Sequence, residues 1–87
     1  MSLVPLDKNT RSRYRIPLSV DGVLLADVKP GSQAEKDGFQ VGDVIIQVEN
    51  HTITSVSDLK EALRKSKEGA KRVYVNRNGM ILLLIAN

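Results

Sequence analysis

The feature that most constrains this chain lies near its end, where Arg77-Asn78-Gly79 separates Val73-Tyr74-Val75 from the apolar run Met80 to Ile85. Asn followed by Gly supplies the two positive-φ residues of a tight turn whose twist matches that of paired antiparallel strands. The chain therefore finishes on a β-hairpin, and because a lone hairpin is marginal in water, further strands must join it. Gly22 to Val28 (GVLLADV) is rich in branched residues and lies between Asp21-Gly22 and Lys29-Pro30-Gly31, which marks a strand. Val44 to Val48 predicts another, with Asn50-His51 as the tight turn into Thr52-Ile53. Leu3-Val4-Pro5-Leu6 is short and apolar, and its proline cannot donate to a ladder, so it belongs at a sheet edge or a strand end.

Three segments read as helical. Asp7 or Asn9 caps a short basic turn through Tyr14 and Arg15, which Pro17 stops. Ser32 is an N-cap with Glu35 as its reciprocal partner three residues on, and Gly38 ends that helix after one or two turns. Ser55 or Thr54 opens the longest pattern, in which Val56, Leu59, Ala62 and Leu63 recur at helical spacing; Lys65, Lys67 and Gly69 close it. The core is expected at Val23, Leu25, Val28, Val44, Ile46, Val48, Val73, Val75, Leu82 and Leu84. With 87 residues and no cysteine, residues 1–87 form a single α+β domain of about five strands and two to three helices, without disulfide staples.

Charge is segregated along the chain. Residues 1–20 carry a net +3, residues 21–59 a net −5 and residues 60–87 a net +5, so opposite blocks can pair in the fold. A nucleic-acid binder would want a one-signed surface with aromatics for stacking, and the Arg64 to Arg72 stretch holds no aromatic residue. No nucleic-acid partner is expected. Met80 to Ala86 is the longest apolar run, far short of the roughly 17–25 residues of a membrane helix, so no membrane insertion is expected.

Enzymatic chemistry finds little to work with. His51 is the only histidine and has no sequence-level partner for a nucleophile–base arrangement, and one histidine without cysteine cannot make a zinc site. Neither Asp21-Gly22 nor Asp37-Gly38 opens a calcium loop, and the singly spaced glycines form no phosphate cradle. No catalytic residue, metal or cofactor is expected. Gly31, Gly38 and Gly42 read as turn-shaping residues, with Asp43 placed to accept from neighbouring loop N–H groups.

The stretch Asp27-Val28-Lys29-Pro30-Gly31-Ser32 through Gly38-Phe39-Gln40-Val41-Gly42-Asp43-Val44-Ile45 to Glu49-Asn50, followed by Ile53-Thr54-Ser55 and an amphipathic helix, resembles the bacterial PDZ domain. It is most similar to the C-terminal PDZ domain of HtrA/DegP/DegQ-type periplasmic serine proteases. The resemblance implies a partly open antiparallel β-barrel or sandwich. It also implies that a peptide C-terminus or hydrophobic segment adds as an extra strand between an edge strand and the long helix. On this chain the implied edge strand is Leu3, Val4, Pro5 and Leu6, and the implied helix runs from Val56 to about Ser66. Val56 would meet the ligand's third-from-last residue and favour a hydrophobic one, Lys60 would stand on the rim, and Leu63 or Arg64 would floor the terminal pocket.

The family's carboxylate-binding loop should immediately precede the edge strand, and counted back from Leu3 its glycine falls before Met1. Met1-Ser2-Leu3 reads as a cloning remnant, so the expectation is a scaffold whose carboxylate loop is truncated and which binds peptide termini weakly. The resemblance further implies a regulatory module of a trypsin-like serine endopeptidase whose triad lies on a separate domain, in the periplasm. Its partners would be peptides or unfolded segments with hydrophobic termini, the protease domain and other subunits. The alternatives are a role in oligomer assembly, or a different parent: a site-2-type metalloprotease, a tail-processing protease or a secretion component.

Overall fold

The computed structural model describes residues 2–65 and 69–87. Its elements run β1 (Ser2–Pro5), α1 (Lys8–Tyr14), β2 (Val23–Asp27), α2 (Gln33–Lys36), β3 (Val44–Val48), β4 (His51–Thr52), α3 (Val56–Lys65), β5 (Lys71–Arg77) and β6 (Met80–Ala86). The strands form one open antiparallel sheet in the order β1-β2-β3-β5-β6, with the two-residue β4 attached to β3. The α+β class expected from the sequence is the one observed. The closing hairpin forms as Asn78-Gly79 predicts, with both residues at positive φ (52° and 87°) and the Gly79 N–H held by Asn76 Oδ1 at 3.0 Å.

The helix signals hold with small changes of partner. Asp7 caps α1, its carboxylate accepting from Thr10 N at 2.8 Å, and Arg15 closes that helix in the left-handed region. Ser32 Oγ accepts from Glu35 N, but the Glu35 carboxylate reaches past Ser32 to the Gly31 N–H at 2.9 Å, because Ser32 N already donates to Lys29 O. Ser55 Oγ accepts from Asp58 N at 3.0 Å and opens α3. The expected helix end at Ser66 and Lys67 lies outside the described residues.

Two expectations are corrected by strand geometry. The turn after β3 centres on Glu49-Asn50, with Glu49 at φ 50°, and His51 belongs to β4 opposite Val48. Glu49 is held there by β5: its N–H donates to Arg72 O at 2.8 Å and its carboxylate accepts from Arg72 N at 3.0 Å. Simple alternation put Ile46 in the core, whereas Ile45 is buried and Ile46 only partly so. A register shift against β5 between Ile45 and Gln47 inserts an extra residue, and a bulge of this kind changes which side chains face inward.

The main core gathers Val23, Leu25, Phe39, Ile45, Val48, Ile53, Leu59, Ala62, Val73 and Val75, with Leu3, Val56, Leu82 and Leu84 packed at its margin. Leu24 and Val44 are also buried and stand opposite each other on β2 and β3. The segment from Tyr14 to Val20 shares a cavity with Val44 on that side of the sheet.

The charge blocks meet as their signs suggest. Arg77 of the basic C-terminal block reaches Asp43 of the acidic centre at 2.7 and 2.8 Å, and also donates to Gly38 O at 2.8 Å. Asp43 is 1% exposed and, as its position suggested, accepts from a loop N–H, that of Gln40. Arg11 meets Asp21 and Arg72 meets Glu49 in the same sense.

Candidate functional site

β1 lies at one end of the sheet order and pairs only with β2, so its outer edge is free among the described residues. An edge of unpaired N–H and C=O groups is a template for another extended segment. Four residues make this one short, and Pro5 removes one donor from it. Leu3, Val4 and Leu6 are each half-buried while Pro5 is exposed.

Helix α3 packs against β1 and β3. Its inner stripe, Leu59 and Ala62, is buried in the core. Val56, Lys60 and Leu63 follow one another at i, i+4 and i+7 and so share a face. Val56 is half-buried against the core, Lys60 is exposed, and Leu63 keeps 38% of its surface accessible. Leu63 also lines an almost wholly apolar, partly open cavity of about 160 Å³, walled by Ala34, Phe39, Ile45, Leu59 and Val73, with Asp37 and Asn87 also in its lining. Arg64 points elsewhere, its guanidinium gripping Glu61 at 2.6 and 3.2 Å on the exposed side of the helix.

The start of α3 is fixed by carboxylate hydrogen bonds. Asp58 accepts from the Thr54 hydroxyl at 2.7 Å and from Thr54 N at 3.0 Å, which holds its carboxyl below the usual 3.8. Glu61 is lowered chiefly by its hydrogen bond from Arg64, and Arg64 is raised in turn. In the cavity lining Asp37 accepts from Asn87 N at 2.9 Å and from Asn87 Nδ2 at 3.1 Å, and these bonds lower its pKa. That contact ties the chain's last residue to the end of α2.

One positioning residue was not legible in the sequence. Arg11 donates to Leu6 O at 3.2 Å, Pro17 O at 2.7 Å, Val20 O at 2.8 Å and Asp21 Oδ1 at 3.0 Å. It thereby clamps the end of β1 to the segment that leads into β2. Arg13 and Arg15 look the same in a string of letters. Only the phase of α1, which turns Arg11 alone toward Leu6 and Val20, sets it apart.

An open antiparallel sheet with an amphipathic helix laid beside its free first strand defines a class of small modules that can take in an extended chain at that edge. The sequence pattern of the PDZ domain matches residues 24–77, and this chain belongs to the PDZ domain family. It is 37% identical over 65 residues to the serine endoprotease DegS of Haemophilus influenzae, an alignment covering 74% of this chain and 19% of that protein. It is 33% identical over 83 residues to a probable periplasmic DegP-like serine endoprotease of Chlamydia muridarum, covering 94% of this chain and 16% of that one. The chain thus spans less than a fifth of the length of these relatives. Among solved structures, the HtrA3 PDZ domain bound to a phage-derived ligand (FGRWV) superposes with a TM-score of 0.81 at 22% identity, covering 99% of this chain and 79% of that one. That likeness carries the fold.

Proposed function

We propose that this chain is a non-catalytic peptide-binding module of an HtrA/DegP-type serine endopeptidase, taking hydrophobic C-termini or exposed apolar segments as an added antiparallel strand along β1. The observation that carries this reading is the free edge of β1 beside α3 among the described residues. Main-chain hydrogen bonds would supply affinity and the Val56, Lys60, Leu63 face selectivity. The short strand and the missing Pro5 donor favour weak binding. The likeness to a periplasmic DegP-like endoprotease supports a bacterial envelope setting, and no described helix is long and apolar enough to cross a membrane. The parent's protease domain and other subunits would be the module's remaining partners.

An amide-shift NMR titration with a short peptide ending in hydrophobic residues, as the free acid and as its amide, tests this. Shifts confined to Leu3–Leu6 and Val56–Arg64 are expected. A free acid that binds more tightly than its amide assigns the ligand terminus to the site, and equal binding assigns an internal segment. Absence of shifts with either peptide at millimolar concentration would refute the reading.

A further inference from the structure

The opposite end of the sheet carries a second free edge of different character. β6 is seven residues long, pairs only with β5 among the described residues, and has no charge and no proline from Met80 to Ala86. Sheet edges are normally guarded by brevity, charge, proline or a bulge, and β6 has none of these along its length. Its outward row is apolar and accessible: Ile81 is 65% exposed, Leu83 50% and Ile85 45%, with Tyr74 of β5 opposite Leu83.

The sequence of this strand is also self-complementary. Read from either end toward Leu83, it runs Ile, Leu, Leu in both directions, with Met80 and Ala86 as the outermost pair. We propose that β6 pairs antiparallel with β6 of a second copy of this chain, with Leu83 on the two-fold axis. That register sets Ile81 opposite Ile85, Leu82 opposite Leu84 and Leu83 opposite Leu83. The outward rows of both copies then join into one stripe of six branched side chains, the cross-strand arrangement that stabilises a sheet. An isologous contact requires a surface that matches itself, and this strand does so residue by residue.

Charge does not oppose the pairing. Three charged residues of β5 stand in register with β6: Arg72, opposite Ile85, and Arg77, opposite Met80, are matched by Glu49 and Asp43, and Lys71, opposite Ala86 at the strand end, donates to Gly69 O. A partner of different sequence would leave the mirror order of the strand without a role. Because β6 and β1 lie at opposite ends of the sheet, the paired module keeps its β1 edge free. One strand pair buries less than the roughly 1,200 Å² of stable complexes, so the dimer is weak and shows itself at high concentration.

Sedimentation of the chain from micromolar to millimolar concentration tests the proposal, together with hydrogen exchange at Met80–Ala86. A reversible monomer–dimer equilibrium is expected, with alternate β6 amides gaining protection as the dimer fills. Leu83→Lys and Leu83→Glu each place like charges on the axis and should leave monomers, while an equimolar mixture of the two should restore a dimer. Ile81→Thr with Ile85→Thr keeps strand propensity and should weaken association at least about tenfold. Monomers at every concentration, a dimer that survives Leu83→Lys, or a mixture that fails to associate although both variants keep native amide spectra would each overturn it. Peptide binding at β1 is read separately, so failure here leaves the proposed function standing.

Discussion

Replacing Arg11 by Met tests how β1 is held. The substitution keeps most of the aliphatic stem and removes four hydrogen bonds, three of them to backbone carbonyls. The Arg11 side chain is only 14% exposed. The bonds to Leu6 O and Val20 O are partly buried, and each contributes about 1–1.5 kcal/mol. The bonds to Pro17 O and Asp21 are exposed, where water replaces much of what is lost, so together they add at most about 0.5 kcal/mol. The expected loss is about 2–3 kcal/mol, which for a domain of this size is a fall in Tm of about 10–20 °C. Urea denaturation measures the loss, and hydrogen exchange at Leu3–Leu6 locates it: those amides should open faster than the ones in β5. Peptide affinity should fall with it, because a loosened edge must be ordered again on binding. Arg13→Met on the same helix is the control, expected within about 0.5 kcal/mol of the parent. Equal effects from Arg11 and Arg13, or a loss at Arg11 with no change in exchange at β1, would refute the clamp.

Other perturbations reach the rest of the molecule. Arg77→Met strands the buried Asp43 carboxylate and should cost about 3 kcal/mol, whereas Asp43→Leu with Arg77→Met should cost less than the two single changes added, a coupling that a double-mutant cycle in urea reads directly. Gly22→Ala drives a Cβ into the Ile45 carbonyl and to 2.8 Å from Val44 Cγ1 at φ 151°, so it should cost about 3 kcal/mol or more; a near-neutral result would mean that β2 and β3 do not approach as closely as described. Asp7, Asp37, Asp58 and Glu61 are all lowered by hydrogen bonds to the ionised form, so their contribution is complete above their ordinary values of 3.8 and 4.5 and is lost as pH falls through the lower folded values. The urea midpoint should therefore hold from neutrality to about pH 5 and decline below about pH 4, and Asp58→Asn should flatten the decline. Leu63→Asp, at a side chain already 38% exposed, should leave the fold intact and weaken peptide binding by about tenfold in the same NMR titration.

What could be read from the letters is what local chemistry decides. Asn78-Gly79 fixes a turn because few other residue pairs accept two positive φ angles, and Asp7, Ser32 and Ser55 cap helices because their oxygens reach N–H groups only a few residues away. The misplacements arose where distant residues intervene. The turn at Glu49 is held by Arg72, and the burial of Ile45 in place of Ile46 follows a bulge against β5, a strand that begins more than twenty residues later. The Asp43–Arg77 pair joins residues 34 apart; the block charges suggested the pairing of signs but could not name the partners. Arg11 was equally hidden, since its role depends on where the loop after Pro17 returns. The cavity beside Leu63 could not be inferred at all, for its walls come from α2, β3, α3, β5 and the end of β6 together.

The two ends of the sheet divide the chain's capacity for association. β1 is short, carries Pro5 and is clamped by Arg11, so it should not recruit strands indiscriminately; a ligand there must also satisfy α3. β6 is long and neutral and offers an apolar row that no other described strand covers, so the chemistry of its own sequence selects the partner. Because the intervening strands are bound in one continuous sheet, the dimer holds two β1 edges at a fixed separation. A ligand with two binding segments spaced to reach both would gain from effective concentration without any new contact. Two copies of the peptide joined by a flexible linker should therefore bind the parent chain more tightly than the single peptide. That gain should vanish for Leu83→Lys, whose single-peptide affinity should be unchanged. An avidity gain that persists in Leu83→Lys would separate the two edges and break the link between them.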